Sequence, residues 1–305
     1  MTRPSAPPPP APAPTRPGPA AAPGPDLGAG PGAGPGAEVA PSASRPGEDR
    51  SARPGFASTV AAYARSDSLI LWRLRTPIAF MLAVPALLAF TLGPAVSGSS
   101  PADGGRGRSL IGIAVMFSFI TVNYAGLALF REFNNNTWIR QAVCRPAKSA
   151  YLLGKLLPTA LAGLIQLTIF GAIAFLGYRT PLHGNVVQLC LVAAALVSVG
   201  CALGGVLHCL TNTTTVFQSL AYVILIATGC VGGALVPPDR LPRASRLVGV
   251  VTPQHWAMTA LDAATTGSGA WGPTLEAVGV MGATAALLTA VTLRMLNFGT
   301  EKSTL

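Results

Sequence analysis

Few side chains in this sequence have the type and spacing that covalent chemistry needs. A serine nucleophile requires a histidine facing it; Ser118 and His208 are the available pair, without the glycine-rich surroundings such a nucleophile usually has. Asp103-Gly104 followed by Arg106 is superficially like a lipid phosphotransferase motif, but too few acids accompany it for a metal pair. Cys144, Cys190, Cys201, Cys209 and Cys230 form no CxxC pair, and His183, His208 and His255 are far apart. Neither a zinc site nor a disulfide scaffold is indicated. No GxxxxGK[ST] phosphate loop occurs, since Gly154-Lys155 is followed by Leu156. The expectation is a chain that is not itself an enzyme and binds no metal.

Recognition is the chemistry that remains. Phe117, Thr121, Asn123, Tyr124, Gln166, Gln218 and Tyr222 stand inside long apolar runs, with Phe117, Thr121 and Tyr124 on one helical face. Amides and hydroxyls in lipid face a bundle interior or a cavity. They either line a route for a cargo or make interhelical hydrogen bonds of about 0.6 kcal/mol each. A second cluster is the segment 131–155, which carries five cations, Arg131, Arg140, Arg145, Lys148 and Lys155. Phe133, Trp138, Ile139, Ala142 and Val143 can form the apolar face of a short helix there, stopped by Pro146. Such a helix suits a partner protein that pushes on the membrane part, or else it is a connector whose cations bind headgroups.

The elements that position these residues belong in lipid. The chain has 305 residues, 50% hydrophobic and 10% charged, with mean hydropathy +0.50. A soluble domain of ordinary composition carries about 25% charged residues. The net charge of +10 lies mostly beside apolar runs, as anionic headgroups and the positive-inside bias demand. No basic stripe with interleaved aromatics points to nucleic acid.

Residues 1–55 are a Pro/Ala/Gly low-complexity tail, read as solvated and disordered, with Pro7 to Pro10 able to suit an aromatic groove. No apolar segment follows the N-terminus as in a signal peptide. Residues 56–76 read as an amphipathic helix in the headgroup plane, or as a cytosolic extension of the first span. Phe56, Val60, Tyr63, Ile70 and Leu74 form its apolar side, Arg65, Asp67, Arg73 and Arg75 are assigned to other faces, and Trp72 is the interfacial anchor.

Six spans are expected near 77–95, 109–130, 156–177, 185–208, 216–236 and 274–295, each close to the roughly 20 apolar residues a crossing needs. The fold class is therefore an all-α polytopic membrane protein, with a six-span domain over 77–300. With the N-terminus inside, ten cations flank the inner ends and six the outer, which favours both termini in the cytoplasm. Between spans five and six, residues 237–272 are too apolar for a solvated loop. They are expected to fold back as short helices broken at Pro237, Pro242 and Pro253, after a break in span five at Gly232 and Gly233. Gly200 with Gly204, and Gly229 with Gly233, read as packing sites.

In that order (interfacial helix, six spans, a basic inner segment opening Arg-Glu and closing Leu-Gly-Lys-Leu-Leu, and a Pro-rich outer fold-back ending in Pro-x-x-Trp) residues 56–300 resemble the permease subunits of type-2 ABC exporters, particularly the daunorubicin-resistance branch of actinobacteria. The resemblance implies that 131–155 is the segment coupling to an ATPase, through Arg131, Glu132, Trp138 and Arg140, with Arg145 and Lys148 beside them. Asn134 to Asn136 depart from the more acidic residues common in the family. It further implies a bacterial plasma-membrane permease that exports an amphipathic or hydrophobic compound (a drug, natural product or lipid-linked molecule) by alternating access. Two ATP-binding subunits using ATP and Mg, and a second permease copy or paralogue, are the implied partners. The competing readings are an ion-coupled secondary transporter, which usually needs intramembrane carboxylates, and a non-transporting membrane assembly factor.

Overall fold

The computed structural model describes residues 55–73, 75–96, 105–135, 137–144, 146–177, 180, 182–235, 242–265 and 269–296. The tail before residue 55, Arg145 and Pro237 lie outside them. Runs of Leu, Ala and Val, with proline and glycine between, give an architecture built from helices, with no strand among the described residues. The helices are α1 (Phe56–Arg73), α2 (Arg75–Val96), α3 (Gly105–Ser118), α4 (Ile120–Asn134), α5 (Trp138–Cys144), α6 (Lys148–Ala172), α7 (Val186–Leu210), α8 (Thr214–Val231), α9 (Arg243–Gly249), α10 (Pro253–Thr265) and α11 (Trp271–Met295).

Among the described residues, five helical stretches are long and apolar enough to cross a membrane: Arg108–Asn134, Lys148–Leu176, Val186–Leu210, Thr214–Val231 and Trp271–Met295. The expected first span falls in α2, a helix of 22 residues. Arg108–Asn134 is the central span and the most enclosed by the others. Its helix is interrupted between α3 and α4 at Phe119 (φ −70°, ψ −5°), where the Ser118 hydroxyl donates to the Val115 carbonyl and the Thr121 hydroxyl donates to that of Ser118. Side-chain hydroxyls that bind the preceding turn's carbonyls compete with the helix's own hydrogen bonds.

Small residues let the helices close. A Cβ on Gly200 would strike the Thr121 hydroxyl, and one on Gly204 the Val122 carbonyl oxygen, so α7 meets α4 backbone to backbone. The main core joins α3, α4, α7, α8, α10 and α11 through Phe119, Phe130, Leu196, Phe217, Met258 and Met281.

The segment after α8 folds back as its prolines and apolar content require. Gly232 caps α8 and Gly233 takes φ 79°. Pro242 precedes α9 and Pro253 opens α10. The α10 helix buries Ala257, Met258, Ala260 and Ala264. A bidentate pair fixes it to the start of the central span, Arg108 donating from Nε and Nη2 to Asp262 at 3.0 and 2.8 Å. The backbone amides of His183 and Gly184 donate to the Ala264 carbonyl, and Gln188 donates to the carbonyls of Gly269 and Ala270. The start of α3, the described residues just before α7 and those just before α11 thus meet at one end of the bundle.

Candidate functional site

The opposite end carries the basic segment, and there three helices converge on a set of charges. The α1 face that packs inward is Thr59, Val60, Tyr63, Ala64, Asp67, Ile70 and Leu71. It lies on the start of α6, and glycine permits the approach: a Cβ on Gly154 would stand 2.7 Å from Tyr63 Cβ and 2.9 Å from the Val60 carbonyl oxygen. Tyr63 meets Tyr151 edge to face at 5.2 Å between ring centroids. Tyr63, Leu129, Tyr151, Leu152, Cys209, Leu293 and Leu296 close an apolar cluster joining α1, α4, α6, α7 and the end of α11.

Asp67 is 2% exposed and Lys155 3%. Lys155 Nζ donates to Asp67 Oδ1 at 3.1 Å and also contacts Glu132 Oε1; Arg131 Nη1 stands 3.6 Å from the same Asp67 oxygen. Thr137 donates to the other Glu132 oxygen, which ties the cluster to the turn before α5. Two acids and two bases therefore balance. Burial pushes the Asp67 carboxyl above its ordinary range, and the Lys155 and Arg131 charges pull the other way. Asp67 Oδ2 and Arg131 Nη1 have no hydrogen-bond partner among the described residues.

This geometry rearranges the expected coupling set. Arg131 and Glu132 point into the protein. Trp138 is half-buried and stacks on Phe133, with centroids 6.1 Å apart. Gln141 is buried on the inner side of α5 and shares a hydrogen bond with Tyr151. Among the described side chains of α5, Ile139, Val143 and Cys144 are exposed, and Lys148 is exposed at the start of α6. The Arg140 side chain and all of Arg145 lie outside the described residues.

Asp67 and Lys155 were not among the expected site residues. Assigning Asp67 to a polar face of α1 is corrected: it follows Val60 by seven positions and Tyr63 by four, on the packed face. Lys155 is not a headgroup cation, because α6 begins at Lys148, before the apolar run, and carries its first turns under α1. An acid in register with an apolar face was the available signal, since it needs a basic partner.

The candidate route residues divide by burial. Phe117 and Thr121 are enclosed, with Thr121 wedged against Gly163 and Gly200. Gln166 is buried, and neither end of its amide has a hydrogen-bond partner among the described residues. Asn123 Nδ2 donates to the Tyr222 hydroxyl at 3.0 Å, joining α4 to α8. Tyr124 and Gln218 are half-buried, whereas Tyr222 is 46% exposed on the outer side of α8. Ser118 and His208 do not meet. The serine bonds its own helix, while His208 lies edge-on to Phe130, twelve residues and about 18 Å of helix further along.

A family model, that of the ABC-2 type transporter, matches residues 56–265, over two thirds of the chain. The chain belongs to the ABC-2 type transporter family. Comparison with curated proteins finds no match. An ABC-2 membrane domain is a permease and not catalytic by itself, and membership implies a multi-pass membrane protein with a separate ATP-binding partner. The matched stretch takes in the whole charge cluster, the basic segment and the fold-back through α10.

Proposed function

We propose that this ABC-2 permease is the membrane subunit of an ATP-driven exporter that moves an amphipathic or hydrophobic compound outward by alternating access. The cargo class is that of the drug and natural-product efflux branch named by the sequence resemblance. ATP and Mg act on the partner, and two such subunits work with two permeases. Span one is α2, completing six crossings with both termini in the cytoplasm, and α1 lies along the inner membrane surface.

One observation carries this reading. The short helix α5, held between α4 and α6, presents Ile139 and Val143 outward while Trp138 and Gln141 hold its other side. Exposed apolar pairs on an otherwise polar connector mark a protein contact more than a headgroup contact. Docking therefore runs through Ile139, Val143 and the neighbouring cations Arg140, Arg145 and Lys148. Arg131 and Glu132 support the helix from behind. The half-exposed Tyr222, bonded to Asn123, marks the side of α8 where a second permease copy and the cargo route meet. The only acid of α11 is Glu276, in its second turn, a weak basis for ion coupling.

The test is co-purification with the ATP-binding subunit from the same locus. Ile139→Asp with Val143→Asp is expected to abolish association while the permease still inserts and runs as the native protein. Undiminished association would remove the docking assignment. ATP-driven uptake into inverted vesicles that persists without the ATPase would remove the exporter reading itself.

A further inference from the structure

The α1 helix has one acid, Asp67, and places it against another helix instead of in water. A helix that merely rested among headgroups would gain more from an apolar residue there, because buried ion pairs rarely out-stabilise apolar packing. What a buried pair does fix is register and rotation between the elements it joins. Here the joined elements form a continuous chain. Thr137, before α5, holds Glu132; Glu132 and Asp67 share Lys155; and one residue after α1 the chain enters α2. Gly154 brings the two helix backbones together at the same level, so little slack separates α1 from α6.

We propose that Asp67, Lys155 and Glu132 form a clasp that makes α1 travel with the coupling segment, so that a push on α5 is delivered to α2 as well as to α4 and α6. These three are positioning residues. Arg131, standing off Asp67, keeps the cluster neutral. The inference rests on the exporter reading above and adds a specific path for the push.

The experiment uses the full permease with its ATP-binding partner in lipid nanodiscs, with native cysteines replaced by alanine. Spin labels at Leu87→Cys on α2 and Val280→Cys on α11 report the first span, and labels at Leu161→Cys on α6 and Val280→Cys report the third. Trapping the partner with ATP and vanadate is expected to shift both distances. Asp67→Asn should leave the α6 shift and remove the α2 shift, whereas Asp67→Glu should keep both. An α2 shift that survives Asp67→Asn overturns the clasp. If that variant erases both shifts, the conservative Asp67→Glu decides: retention of both shifts supports the clasp, and their loss overturns it. Absence of any shift and of any complex in the parent protein is the separate result that removes the exporter reading.

Discussion

At the scale of single residues, two of the ion pairs of this permease, Lys155 with Asp67 and Arg108 with Asp262, differ in what surrounds them. Lys155 and Asp67 are both nearly inaccessible, whereas Arg108 and Asp262 keep 24% and 31% of their side-chain surface in contact with the surroundings. Removing one member of a buried pair leaves an uncompensated charge and costs about 3–5 kcal/mol; an exposed pair contributes about 0–1 kcal/mol. Lys155→Met is therefore expected to lower the thermal midpoint in detergent several times as far as Arg108→Gln, measured side by side. A different residue governs acid sensitivity at the other end. Partial burial lowers the His255 pKa below its ordinary imidazole value of 6.5. Its contribution to stability is complete above that value and is lost as pH falls through the depressed one, because the unfolded chain then binds the extra proton. Hydrogen exchange across 250–265 should accelerate between neutral and mildly acid pH, and His255→Gln should flatten that change.

At the scale of elements, the long apolar runs were legible because lipid imposes a length on them. The segment 185–208 became Val186–Leu210 and 274–295 became Trp271–Met295. Proline and glycine were equally readable at 232–253, where α8 stops, α9 starts after Pro242 and α10 starts at Pro253. What periodicity could not show was which neighbour a face would meet. The apolar side of α1 suits headgroups and a second helix equally well, and Gly154, which decides for the helix, has no hydropathy signal. Gly154→Val should push α1 from α6, since its Cβ already has nowhere to go. Limited proteolysis within 56–73 of the detergent-solubilised protein should speed up while cleavage elsewhere does not. Gly269 is the corresponding point at the other end. It has φ 68°, and a Cβ there would strike the His183 carbonyl. Gly269→Ala adds a left-handed penalty of about 1–2 kcal/mol to that clash and should loosen the connection before α7 as well as its own.

At the scale of the whole molecule, the contacts separate the two ends without reference to any membrane. Asp67, Glu132, Tyr151, Lys155, Cys209 and Leu296 gather at one, and Arg108, His183, Gln188, Asp262 and Gly269 at the other. Charge counting expects ten cations at the flanks of one side and six at those of the other. Part of that count misleads, because Lys155 serves an internal pair and Arg108 a lateral one. Orientation therefore needs its own measurement, and the exposed residues supply the sites. Cys144 is exposed on α5, and Val251 is 84% exposed between α9 and α10. In a protein whose other four cysteines are alanine, a membrane-impermeant maleimide applied to intact cells should leave Cys144 unmodified until the membrane is permeabilised. With Cys144 also replaced, Val251→Cys should react at once. The opposite pattern would place α5 outside, out of reach of any ATP-binding subunit, and the coupling role of 131–155 would be lost with it.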